Sequence, residues 1–185
     1  IWPLWWAWQV AQGAVGPDPG NFLLLNFGFG ALRLLLIVLS LTPLYRLTGW
    51  RGFGIVRRQL GLWCFTYACL HFACYLLFII GLSLDQLFAD LTRRPYIIVG
   101  MVALLGLTAL AITSPKSMVR RLGKRWKKLH RLVYPVLLLV LLHFFWIVRA
   151  DLGQWGIYAA MALCLFVLRY PPLARLLGRP RASGG

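Results

Sequence analysis

Two histidines thirteen residues apart, His130 and His143, stand in the stretch Leu122 to Trp146, LGKRWKKLHRLVYPVLLLVLLHFFW. A third, His71, lies in a second apolar run, QLGLWCFTYACLHFACYLLFII, from Gln59 to Ile80. Neutral imidazole is a ligand for metal ions and for haem iron. An ionisable side chain at membrane depth is costly and is by default a functional candidate. The chemistry on offer is therefore ligation of an electron-transfer cofactor, and the question is what positions these rings.

The composition places them in a membrane. The chain has 185 residues, 61% of them hydrophobic, and a mean hydropathy of +0.75, where a soluble domain has roughly 45–50% apolar residues. It carries twenty Lys and Arg against four acidic residues. Apolar runs recur along the whole length, which predicts an all-α fold, a polytopic membrane bundle of six transmembrane helices with the first truncated. Residues 1–185 read as a single membrane domain. A formal charge of +16 does not imply nucleic acid here, because the basic residues sit in short loops, where topology puts them. Cys64, Cys69, Cys74 and Cys164 all fall in apolar spans without metal-ligand spacing and read as small buried hydrophobes.

Taken in order, Ile1 to Gln12 carries four tryptophans and no basic start; it reads as the end of a first span, and a signal peptide is not expected. The second span begins at Asn21 or Phe27 and runs to Leu44, with Arg33 deep inside it and Gly28 and Gly30 available for close packing. The third is Gln59 to Ile80, the fourth Tyr96 to Ile112, the fifth Leu129 to Val148 with Pro135 as a kink, and the sixth Trp155 to Tyr170, ended by Pro171 and Pro172. The segments around Asp85–Arg94 and Thr113–Lys128 read as loops. No internal repeat stands out. Loops after spans two and four, with the tail from Arg169, hold sixteen of the twenty basic residues and no acid. The positive-inside rule makes that side cytoplasmic and leaves both termini there.

On this topology spans three and five both run outward, and His71 and His143 lie at nearly equal depth. Two neutral imidazoles at matched depth in a dry, aromatic setting suit the two faces of one haem. A zinc site is not supported, since carboxylates and cysteines do not cluster there. Tyr67, Tyr75, Phe144 and Trp146 could line a haem, although ordinary core packing accounts for them as well. His130 sits at the cytoplasmic end of its helix, turned by about 220° from His143 on an ideal helix. Fourteen residues before His71 stands Arg57, then Arg58, neither an ordinary haem ligand. Arg57, Arg58, Lys124, Arg125, Lys127 and Lys128, with Trp126 among them, could grip the phosphate of an anionic cofactor, or could serve lipid attraction and topology alone. No GxGxxG or P-loop pattern is present, so no nicotinamide domain is encoded.

The stretches RRQLGLWCFTYACLHF (57–72), TRRPYIIVG (92–100) and TSPKSMVRRLGKRWKKLHRLVY (113–134) resemble the MsrQ (YedZ) family of haem-binding membrane subunits. That family is a branch of the ferric-reductase-like transmembrane proteins, with NADPH oxidases as distant relatives. The resemblance covers almost the whole chain from about Gly16. It implies b-type haem and FMN in a six-helix domain that is not itself the catalyst of bond making. Electrons would come from a cytoplasmic NAD(P)H flavin reductase or the quinone pool and pass to a periplasmic molybdenum-containing methionine-sulfoxide reductase, MsrP. It makes His71 and His143 the outer haem pair and matches His130 to an inner ligand. The inner partner expected on helix three is replaced by Arg57, which leaves room for a flavin. The outer loop Thr92 to Tyr96 is the expected exit. Two rival readings are a ferric- or quinone-linked b-type cytochrome and a cofactor-free membrane scaffold.

Overall fold

Long apolar runs have few ways to satisfy their backbone in lipid, and the helix is the simplest. In the computed structural model, which describes residues 2–50, 52–148 and 152–169, every secondary-structure element is helical. Ile1, Arg51, Arg149, Asp151 and the tail from Tyr170, including Pro171, Pro172, Arg175, Arg179 and Arg181, lie outside the described residues.

Helix α1 spans Trp2–Ala11, and α2 spans Pro19–Thr48. Helix α3, Gly52–Cys74, runs on through a π turn at Tyr75–Ile79. Then follow α4 (Leu84–Arg93), α5 (Pro95–Ile112), α6 (Lys116–Leu122), α7 (Lys124–Leu129), a 3-10 turn (His130–Leu132), α8 (Val133–Ile147) and α9 (Leu152–Val167). Four stretches are long and apolar enough to cross a membrane: Pro19–Thr48, Gly52–Ile79, Pro95–Ile112 and Lys124–Ile147. Helix α9 is apolar but shorter, and α1 has only 10 residues. Asp18 starts α2 by accepting from the Asn21 amide at 2.9 Å, with Pro19 at its first position; Gly49, at φ 72°, ends it.

The most extensive pairings are α2 with α3 and α5 with α8, so the bundle is two helix hairpins packed together. Leu35, Leu36 and Leu39 of α2 meet Val136, Leu137 and Leu141 of α8 in the main core. A satellite cluster of Trp6, Phe27, Tyr67 and Cys74 pins α1 to α2 and α3. Arg33 is not stranded: its Nε donates to the Tyr158 hydroxyl at 2.8 Å and ties α2 to α9.

Several sequence expectations change. The segment after span three is not a loop. Leu84–Arg93 is a helix capped by Ser83, and its Asp90 is buried. The basic stretch from Thr113 forms α6 and α7, because Lys and Arg are good helix formers and only Gly123, at φ 51°, breaks the run. Pro135 does not kink a helix interior. It sits in the first turn of α8, where a missing N–H costs nothing, and the irregularity lies before it in the 3-10 turn. Cys64 and Cys74 are buried, but Cys69 is only partly so and Cys164 is exposed; all four are free thiols.

Replacing Tyr158 by Phe removes the hydrogen bond that Arg33 Nε donates across to α9. Thermal denaturation in detergent is expected to show a loss of about 1–2 kcal/mol, recovered when Arg33→Leu is added.

Candidate functional site

His71 lies near the end of α3, four residues before the π turn begins at Tyr75, and His143 lies in the last turns of α8. The two rings face each other across the gap between the hairpins, with centroids 6.2 Å apart and planes at 89°. Each is fixed from behind. The Nδ1–H of His71 donates to the Leu24 carbonyl at 2.8 Å, and that of His143 donates to the Tyr96 carbonyl at 2.7 Å. A carbonyl can only accept, so both rings carry their proton on Nδ1. Each Nε2 is left with a lone pair, the state of a metal-ligating imidazole.

Both rings line one cavity of about 410 Å³, within the range of small-molecule and cofactor sites. Its walls are mainly apolar, with Phe29, Phe72, Leu104 and Phe144 among them. Two glycines let the rings sit close to the helices that hold them. A methyl group at Gly28 would stand 3.0 Å from the His71 Nδ1, and one at Gly100 would stand 2.9 Å from the His143 ring. Of the aromatic candidates, Tyr75 and Phe144 line the cavity; Tyr67 packs in the α1 cluster instead. Trp146 belongs to a second pocket of about 410 Å³ with Arg93, Arg94, Pro95 and Tyr96.

Arg94 and Tyr96 border both spaces, so this segment forms a mouth of the cavity. A buried carboxylate organises it. Asp90 accepts from the Tyr75 hydroxyl at 2.7 Å and the Gln86 amide at 2.9 Å, and pairs with Arg94 at 3.4 Å. Thr92, expected at the exit, turns inward on its own helix and donates to Ala89 and Phe88 carbonyls.

The remaining candidates do not join this centre. His130 is stacked under Trp126 with centroids 4.0 Å apart, and its Nε2 lies 3.1 Å from the Thr113 hydroxyl. Trp126 itself donates to the Thr113 carbonyl at 2.9 Å. Arg57 donates to Thr42 at 3.3 Å. Arg58, Lys124, Arg125, Lys127 and Lys128 are exposed, and none of them lines the cavity. Among the described residues no three His, Cys, Asp or Glu side chains gather into a metal site. What sequence reading missed is the set of groups behind the rings: two backbone carbonyls, Gly100, and the Asp90 network. Carbonyls carry no residue signature, and Asp90 looked like one more loop charge.

With this geometry in place, the likeness to known proteins falls on the same helices. A family model described as ferric reductase like transmembrane component matches residues 27–141. The chain belongs to that family. It is also 43% identical over 164 residues to the protein-methionine-sulfoxide reductase heme-binding subunit MsrQ of Xanthomonas axonopodis pv. citri (strain 306), covering 89% of this chain and 75% of that relative. Within the family match lie α3 with His71 and the Tyr96 carbonyl that holds the His143 ring; the Leu24 carbonyl lies three residues before its start and His143 two residues beyond its end.

Loss of the Asp90 carboxylate should loosen the mouth. Asp90→Ala leaves Tyr75 and Gln86 without their acceptor and is expected to cost about 1–3 kcal/mol; Tyr75→Phe should cost less. Unfolding midpoints of the two variants in one detergent check the order.

Proposed function

We propose that the chain carries electrons across the membrane with a b-type haem held between His71 and His143. One observation carries this reading. Two imidazoles, each with Nδ1–H tied to a helix carbonyl, face one apolar cavity at 6.2 Å between centroids. A metal bound at about 2 Å from a nitrogen of each ring separates the ring centres by about 6 Å, so the pair fits a bis-imidazole site. Haem, when bound, supplies a one-electron iron couple. The residues do the rest. His71 and His143 would hold the iron from both sides and leave no position open, which favours electron transfer over oxygen binding. The apolar wall excludes water, and the Asp90–Arg94 pair places a cation at the mouth.

The family and the MsrQ relative support electron transfer as the role, since that relative is named a heme-binding subunit of a methionine-sulfoxide reductase. The finer reading is a single six-span domain in the bacterial inner membrane, with the basic loops and both termini on the cytoplasmic side. There FMN takes electrons from an NAD(P)H flavin reductase or the quinone pool, its phosphate held by basic side chains around Arg57, Arg58 and α7. Trp126 and His130 belong to this inner layer. Electrons leave at the Arg93–Tyr96 mouth toward the periplasmic reductase MsrP. Support for the inner layer is the concentration of cations there without a carboxylate.

Purified protein should show a six-coordinate low-spin b-type spectrum, oxidised and dithionite-reduced, with extracted haem near one per chain. His71→Ala and His143→Ala should each abolish that spectrum. Ala103→Leu, which fills the cavity wall at a buried position, should lower haem retention several-fold while the protein stays folded. A colourless wild type under haem-retaining conditions, or unchanged spectra in both histidine variants, would sink the assignment and favour a scaffold. Flavin near stoichiometry, lost on changing Arg57 and Arg58 to Gln, checks the inner layer; flavin retained there would move it elsewhere.

A further inference from the structure

Laid over itself with a shift of seventy-two residues and no gap, the chain matches where it matters. His71 falls on His143, Phe72 on Phe144 and Gly28 on Gly100. Ala31, Leu32 and Leu35 fall on Ala103, Leu104 and Leu107, and Thr42-Pro43 falls on Ser114-Pro115. The register also matches α2 with α5 and α3 with α8, the two hairpins of the bundle. Eleven pairs in this register make up 22 of the 27 residues around the cavity.

The fine geometry repeats as well. Each histidine donates to a carbonyl 47 positions earlier, Leu24 in one hairpin and Tyr96 in the other. In each case a glycine follows that carbonyl by four residues. In an α-helix the amide at that position already points at the same oxygen, and a carbonyl has two lone pairs, so it can accept from the ring too. The ring reaches that oxygen only by passing over the residue four ahead. A Cβ there would meet His71 Nδ1 at 3.0 Å and Cε1 at 3.1 Å, and His143 Cε1 and Nδ1 both at 2.9 Å.

We propose that Gly28 and Gly100, at matching positions of the two hairpins that face each other across the cavity, are equivalent positioning residues that seat His71 and His143 on the carbonyls of Leu24 and Tyr96. This rests on the reading of His71 and His143 as the axial pair. The two hairpins run in the same sense, so an axis relating them lies along the membrane normal, as in parallel transporter repeats. Nine of the 56 matched positions, 21–76 against 93–148, are identical, so no internal repeat stands out from sequence alone and the likeness is one of geometry around the cavity. Seating has a chemical consequence. A ring whose Nδ1–H is bonded to a carbonyl is a more basic ligand, which favours the ferric state and lowers the midpoint potential. Displacing the ring raises it.

The test uses the full haem-loaded chain in detergent or nanodiscs, with Gly28→Ala and Gly100→Ala. Two controls are Gly30→Ala, whose Cβ meets the Tyr67 ring at 2.5 Å, and Gly61→Ala, whose Cβ meets nothing within 4 Å. Readouts are haem per chain, the g-values of the ferric low-spin signal, and the midpoint from a redox titration. Gly28→Ala and Gly100→Ala should both change the g-values and raise the midpoint. Gly100→Ala, the closer contact, should also retain several-fold less haem. Both controls should keep wild-type g-values and midpoint. Unchanged g-values and midpoint in Gly28→Ala and Gly100→Ala would overturn the proposal, and so would an equal shift in Gly30→Ala, which disturbs packing away from the rings. Should Gly100→Ala not fold, Gly28→Ala decides alone. A wild type without a bis-imidazole signal would instead overturn the axial-pair reading, and this inference with it.

Discussion

An imidazole in an apolar bundle has one N–H that must be accepted by something, and the acceptor decides what the ring can do. Here both rings give that proton to a helix carbonyl, 2.8 Å away for His71 and 2.7 Å for His143. The bond removes the tautomer choice, points a lone pair into the cavity and locks each ring on two helices at once. Most of the bundle follows from it. Helices α2 and α5 must come close to α3 and α8, so glycines stand at the contacts, and the two hairpins must face each other for the rings to share one space. The π turn directly after the His71 segment fits this picture, since such irregularities gather at functional positions.

Outside that centre, polar groups are paired by a different logic at each end. At the mouth, buried Asp90 gathers a tyrosine, an amide and an arginine. At the other end cations find oxygens that are not carboxylates: Arg57 bonds Thr42, and Arg169 bonds the Tyr134 hydroxyl and the Leu39 carbonyl. Such a layer keeps its positive charge uncompensated, which is what an anionic ligand or lipid headgroup would meet. The two hairpins also differ most here: in the seventy-two-residue register His130 falls on Arg58, while the cavity ends with His71 and His143 match.

The elements misjudged from sequence share a cause. Charged, short segments such as Leu84–Arg93 and Lys116–Leu129 look like loops when apolar length is the signal. The basic segments are helices because Lys and Arg have good propensity, and Leu84–Arg93 is one with Ser83 as its cap. Pro135 looked like a kink because its distance from the helix start depends on where the preceding turn ends, and that is a matter of a few backbone angles.

The sequence by itself determined the solvent and the ligand chemistry. Apolar runs without carboxylates require helices in lipid, and histidines inside such runs cannot be idle solvated groups. Matched depth for His71 and His143 follows from topology alone, because alternate spans share a direction. Only the tertiary structure decided that the rings meet, that each has Nδ1–H on a backbone carbonyl, and that His130 lies apart under Trp126. Rotation of one helix about its axis moves a side chain across a full face without changing any apolar count, and a carbonyl is common to every residue. Those choices are set by packing between helices, where Gly28 and Gly100 give the room and their neighbours do not.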